Sequence, residues 1–108
     1  MKETFGEYIR KLRTEKELTL TQLAAQLDLD SANLSKIENG KREFDEKRLE
    51  KLASVFELDL DKLKAEFYSD FIAKKLYNTN CNNEVFTLAE QKIEYLKQKN
   101  LSQLKFNL

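Results

Sequence analysis

Between Ser31 and Lys36 the chain sets small or hydrogen-bonding side chains at almost every position: Ser31, Ala32, Asn33, Ser35 and Lys36, with Leu34 among them. Serine hydroxyls and the asparagine amide both donate and accept, whereas the lysine ammonium only donates. No base stands ready to turn a hydroxyl into a nucleophile, because the chain has no His. The usual general base and the commonest metal ligand are therefore absent. A set of this kind recognises rather than reacts. On one face of a helix, small residues permit close approach, and the polar ones reach base edges in a DNA major groove. Lys36 is the leading candidate for guanine, whose O6 and N7 both accept. Asn39, Lys41 and Arg42 come next, at the place where phosphates flank a groove, and are read as phosphate contacts.

Two short helices must position that set. Thr19 is an N-cap residue, followed by an apolar stripe at Leu20, Leu23, Ala24 and Leu27 with helical spacing. Asp28, Leu29 and Asp30 form a tight turn in which Leu29 is the buried anchor. Asp30 then caps a second helix, Ser31 to Asn39, which buries Leu34 and Ile37 and turns its other face outward. Gly40 ends it as a left-handed residue.

The stretch Thr19 to Arg42, and above all its tail Ser35-Lys36-Ile37-Glu38-Asn39-Gly40-Lys41-Arg42, resembles the helix-turn-helix of the Cro and phage-repressor class, the Xre family. The resemblance implies a five-helix DNA-binding domain. It also implies an ion pair between Arg13 of the first helix and Glu38, beneath the motif. The class commonly carries a phosphate-gripping Gln just after the cap of the first motif helix, and this chain has Leu20 there. The phosphate contact then passes to Thr19, to Thr21, or to backbone N–H groups at that helix start. The compact size resembles the small controller proteins of restriction–modification systems, although those often end near the fifth helix.

Composition sets the outer bounds. There are 108 residues, 41% of them hydrophobic and 35% charged, with no Pro and two Gly. So few breakers favour long helices and short turns, and the fold class expected is all-α. Lys and Arg together number 19, as do Asp and Glu, so the net charge is zero. Any footprint on DNA must come from local charge. The single Cys81 excludes an intrachain disulfide and a multi-cysteine zinc site. The charged start, from Met1 to Lys11, lacks the apolar run of a signal peptide. No stretch approaches the length of a membrane span. A bacterial or phage-encoded cytoplasmic protein is expected.

The flanking elements follow by the same reading. A first helix spans residues 4–16, capped by Thr4 with Glu7 at capping-box spacing, and buries Phe5, Tyr8, Ile9 and Leu12. Its basic run, Arg10, Lys11, Arg13 and Lys16, is read as a solvated face, with a phosphate contact by one or two of these residues as the alternative. Asp45 is expected to cap a fourth helix reaching about Glu57, with Lys47, Arg48 and Lys51 on the polar side and read as solvated, although Lys47 or Arg48 could reach the DNA backbone. Asp59 starts a fifth helix, predicted to run to about Tyr77. Phe67, Tyr68, Phe71, Ile72 and Leu76 give it more apolar surface than one five-helix domain covers, and these residues are read as a dimer interface. After the polar loop 78–83 a last amphipathic helix is expected from about Asn83 to Gln98, covering part of the fifth helix within the chain or across a dimer. The final eight residues fit either a short helix or a disordered tail.

No catalytic constellation emerges. Asp28-x-Asp30 and Asp59-x-Asp61 lack the Gly and distal Glu of a calcium loop. The reading is therefore a regulator without enzymatic activity, cofactor or metal, built from a DNA-binding domain (1–64) and a helical dimerisation extension (65–108). It would bind an inverted-repeat operator as a homodimer. Two alternatives stand beside it: an antitoxin that holds a toxin with its C-terminal helices, and a protein-interaction module that no longer binds DNA.

Overall fold

A computed structural model describes residues 3–107, and all regular structure among them is helical. The order is α1 (Phe5–Glu15), α2 (Leu20–Gln26), α3 (Ser31–Glu38), a 3-10 turn (Glu46–Arg48), α4 (Leu49–Phe56), α5 (Leu60–Thr79) and α6 (Glu84–Asn107). The chain divides into two compact units, Met1–Lys74 and Lys75–Leu108.

The helices of the first unit begin and end by local chemistry. Thr4 and Glu7 form a reciprocal capping box on α1, and Thr19 and Gln22 form another on α2. Asp30 Oδ1 accepts from the Asn33 N–H at 2.7 Å and caps α3. At their other ends, α1 to α5 each run into a left-handed residue: Glu17, Asp28, Gly40, Glu57 and Asn80. Of these only Gly40 is free of the Cβ penalty that the left-handed region imposes. In the first four of these turns, the next N–H reaches back five residues to a helix carbonyl: Leu18 to Arg13, Leu29 to Ala24, Lys41 to Lys36 and Leu58 to Ala53. Leu18, Leu29 and Leu58 are half-buried against the core, so three of these reversals are held by the same apolar anchor.

That core gathers Phe5, Ile9, Leu23, Ala24, Leu27, Leu34, Ile37, Phe44, Leu49, Leu52, Ala53, Leu63 and Phe67. It draws on every helix of the unit and on the α3–α4 connection, where Phe44 is its contribution. Phe5 packs against Phe44 at 5.6 Å and edge-on to Phe67 at 5.2 Å between ring centroids.

Three expectations need correction. Phe67 is 9% exposed and belongs to the chain's own core, so it is not available as an interface residue. Phe5 packs edge-on against it from within the same unit. The fourth helix does not run unbroken from Asp45. Asp45 caps a 3-10 turn instead, with Oδ1 accepting from the Lys47 N–H, and α4 starts only at Leu49. The last helix outruns Gln98 and reaches Asn107, since nothing between the two breaks it; Leu108 and the side chains of Leu104 and Phe106 lie outside the described residues.

Candidate nucleic-acid interface

The outward face of α3 is held from below. Glu38, the one carboxylate of that helix, is turned inward, and its side chain is 4% exposed. Arg13 meets it with a two-pronged contact, Nε to Oε2 at 2.8 Å and Nη2 to Oε1 at 3.0 Å. The remaining guanidinium nitrogen, Nη1, donates to the Leu18 carbonyl at 3.0 Å. Hydrogen bonding to Glu38 raises the Arg13 pKa above its ordinary value. The pair removes a negative charge from the surface and ties α3 to α1.

Gly6 brings those two helices closer still. A Cβ there would meet the Ile37 carbonyl oxygen at 2.3 Å and that of Glu38 at 2.9 Å. Only glycine allows α1 to lie so near the last turn of α3.

On the outward side, Ser31, Ala32 and Lys36 are exposed, and Asn33 and Ser35 are half-buried. Asn33 is held at both ends of its amide. Its Nδ2 donates to Asp30 Oδ2 at 3.1 Å, and its Oδ1 accepts from Arg42 Nη1. The Ser35 carbonyl accepts from Asn39 Nδ2 at 2.9 Å, so Asn39 folds back on its own helix. Lys41 and Arg42 are exposed just beyond Gly40. Lys41 occupies the reversal position that Leu18, Leu29 and Leu58 fill elsewhere, with a cation facing out where those leucines face in. Thr19 and Thr21 are exposed at the start of α2, and the Thr19 hydroxyl accepts from the Gln22 N–H while its own proton remains free to donate.

Several residues do structural work that was not read from the sequence. Arg48, expected to be solvated or to reach DNA, is instead turned onto the motif turn. Its Nε donates to the Leu27 carbonyl at 2.9 Å and its Nη2 to that of Asp28 at 3.3 Å. Lys51 pairs with Asp28 and holds that carboxyl below its usual range. Lys16 leaves its solvated face to donate to the Val55 carbonyl at 2.6 Å, and its ammonium lies 5.5 Å from the Phe56 ring centroid. Only Gln22 had a local signal, the Thr-x-x-Gln spacing of a capping box.

A capped α2, a tight turn and an α3 whose polar outer face carries no negative charge make up residues 19–40. The family model described as helix-turn-helix matches residues 9–63, more than half of the chain. The chain belongs to this family, in its Xre/Cro type. It is 32% identical over 116 residues to the HTH-type transcriptional repressor RghR of Bacillus subtilis (strain 168), covering 94% of this chain and 86% of that protein. It is 42% identical over 64 residues to the control protein C.MunI of a Mycoplasma species, covering 58% of this chain and 86% of that protein. Among solved structures, the P22 c2 repressor in complex with synthetic operator 9T shares the fold, with a TM-score of 0.51 and 21% identity over 57% of this chain and 94% of that one.

Proposed function

We propose that this sequence-specific DNA-binding regulator acts as a homodimer on an inverted-repeat operator, reading each half-site with the outer face of α3. One observation carries the reading. The exposed side of α3 is small and polar, its one carboxylate is buried, and exposed Lys41 and Arg42 stand at its end. Ser31, Ala32, Asn33, Ser35 and Lys36 then face base edges, while Thr19, Thr21, Asn39, Lys41 and Arg42 hold phosphates. With a net charge of zero, that local edge supplies the attraction to DNA. The name of the RghR relative supports repression as the sense of regulation.

Residues 1–64 carry the DNA contact in this reading, and residues 65–108 the pairing. Phe71 and Ile72 are 54% and 51% exposed, and Tyr68 lies beside them. Large apolar side chains clustered on a surface mark an interaction site. Together with Leu76 they supply a self-complementary face for a two-fold copy. A second reading, a protein partner held by the C-terminal helices, is favoured by the exposed Phe86, Leu88, Ile93 and Leu96 along α6. No helix among the described residues is long and apolar enough to cross a membrane. A bacterial or phage cytoplasm is the compartment this function implies.

Selection of binding sites from random DNA by the purified protein tests the proposal. The expected product is an inverted repeat whose half-sites lie about one helical turn apart, roughly 34–36 Å. Recovery of unselected sequence would end the DNA reading. Recovery of single half-sites would end the two-fold one.

A further inference from the structure

Asn33 has an amide with a donor end and an acceptor end, and in an isolated helix either could face outward. Here both ends are already engaged. Asp30 Oδ2 is a carboxylate oxygen and can only accept, so the group 3.1 Å from it is the Nδ2 donor. Arg42 Nη1 can only donate, so the group it meets is Oδ1. The two partners approach from opposite ends of the sequence segment, Asp30 from the cap of α3 and Arg42 from beyond its last turn. Between them they leave one orientation of the amide.

We infer that Arg42 is a positioning residue that fixes the outward hydrogen-bonding pattern of Asn33 and makes it select adenine. This rests on the DNA-binding reading above. After both contacts, Asn33 retains one Oδ1 lone pair and one Nδ2 proton. That acceptor–donor pair complements the major-groove edge of adenine, which offers the N6 donor beside the N7 acceptor. Guanine offers two acceptors, O6 and N7, and would leave the Oδ1 lone pair facing another acceptor. Asp30 alone holds the amide by one end and leaves the other free to swing. Arg42 closes the second end. Its part in recognition is then sequence-specific, beyond any charge it lends against phosphate.

The test is site selection from random DNA with the wild-type protein, Asn33→Ala, Arg42→Ala and the double variant, with melting temperatures measured alongside. Asn33→Ala is expected to lose an adenine preference at one base pair per half-site, by roughly tenfold or more. Arg42→Ala is expected to lose preference at that same base pair, the double variant to lose no more there, and the other positions and the melting temperatures to stay unchanged. Uniformly weaker binding by Arg42→Ala, with its base preferences intact and the salt slope reduced by about one, would overturn the inference and leave Arg42 a phosphate clamp. An Asn33→Ala protein that selects the wild-type sequence would overturn it too. A wild-type protein that selects no sequence would overturn the DNA reading itself.

Discussion

Glu38 determines what the residues around it are able to do. Left at the surface, its carboxylate would repel phosphate; buried against Arg13, it leaves α3 with an outer face free of negative charge. Removing one member of a buried pair strands the other, at a cost of about 3–5 kcal/mol. Glu38→Ala is therefore expected to lower the melting temperature sharply and to lose DNA binding through unfolding. A variant that melts like wild type yet fails on DNA would move Glu38 into the interface. Lys36 and Lys41 form a contrasting couple. Lys36→Ala should cost about 1–3 kcal/mol on the selected site and relax preference at one base pair. Lys41→Ala should weaken binding to every sequence alike and lower the salt slope by about one. Binding isotherms on specific and random DNA at several salt concentrations separate the two, and exchanged behaviour would reverse the assignments. At this scale the Arg13–Glu38 pair was legible because a resemblance implied it. The tethering of Asn33 was not, since its partners Asp30 and Arg42 meet it only after the chain has folded back.

Among elements, the union of α1 with α3 carries most of the geometry. Gly6→Ala would drive a methyl group into the carbonyls of Ile37 and Glu38, which are backbone and cannot rotate away. The helices must then separate, at a cost of about 1–3 kcal/mol, and α3 would shift against the rest of the motif. Thermal unfolding is expected to show the loss, and an unaltered melting temperature would mean that the two helices slide without penalty. Helix limits were largely readable, because caps and left-handed ends are written in neighbouring residues: Thr4 with Glu7, Asp30, Gly40. Inter-helix fastenings were not. Nothing near Arg48 foretells that it reaches the Leu27 carbonyl, and nothing near Gly6 foretells a close crossing. Phe67 shows the limit of a periodic stripe, which tells that a helix side is apolar but not whether its own chain or another will cover it.

For the whole molecule, the exposed apolar residues of α5 set the test of assembly. Phe71→Asp and Ile72→Asp are expected to give folded monomers that keep weak non-specific binding and lose the operator. Phe67→Asp should instead unfold the first unit, because that ring lies in the core. Sedimentation at micromolar concentration reads the outcome, and a wild-type monomer there would remove the physical basis of a two-fold operator. The left-handed residues at the helix ends have a different consequence, one for protein engineering. Glu17 and Glu57 hold φ values of 57° and 53° with a full side chain attached. A non-glycine residue in that region costs about 1–2 kcal/mol, while the added freedom of glycine in the unfolded chain returns about 0.4–1 kcal/mol of that to the denatured side. Glu17→Gly and Glu57→Gly should each raise the melting temperature slightly, and a fall in both would show that the side chains offset the strain locally. Both positions lie at the ends of α1 and α4 and outside α3, so this thermal headroom is open to substitution without changing a side chain that faces DNA.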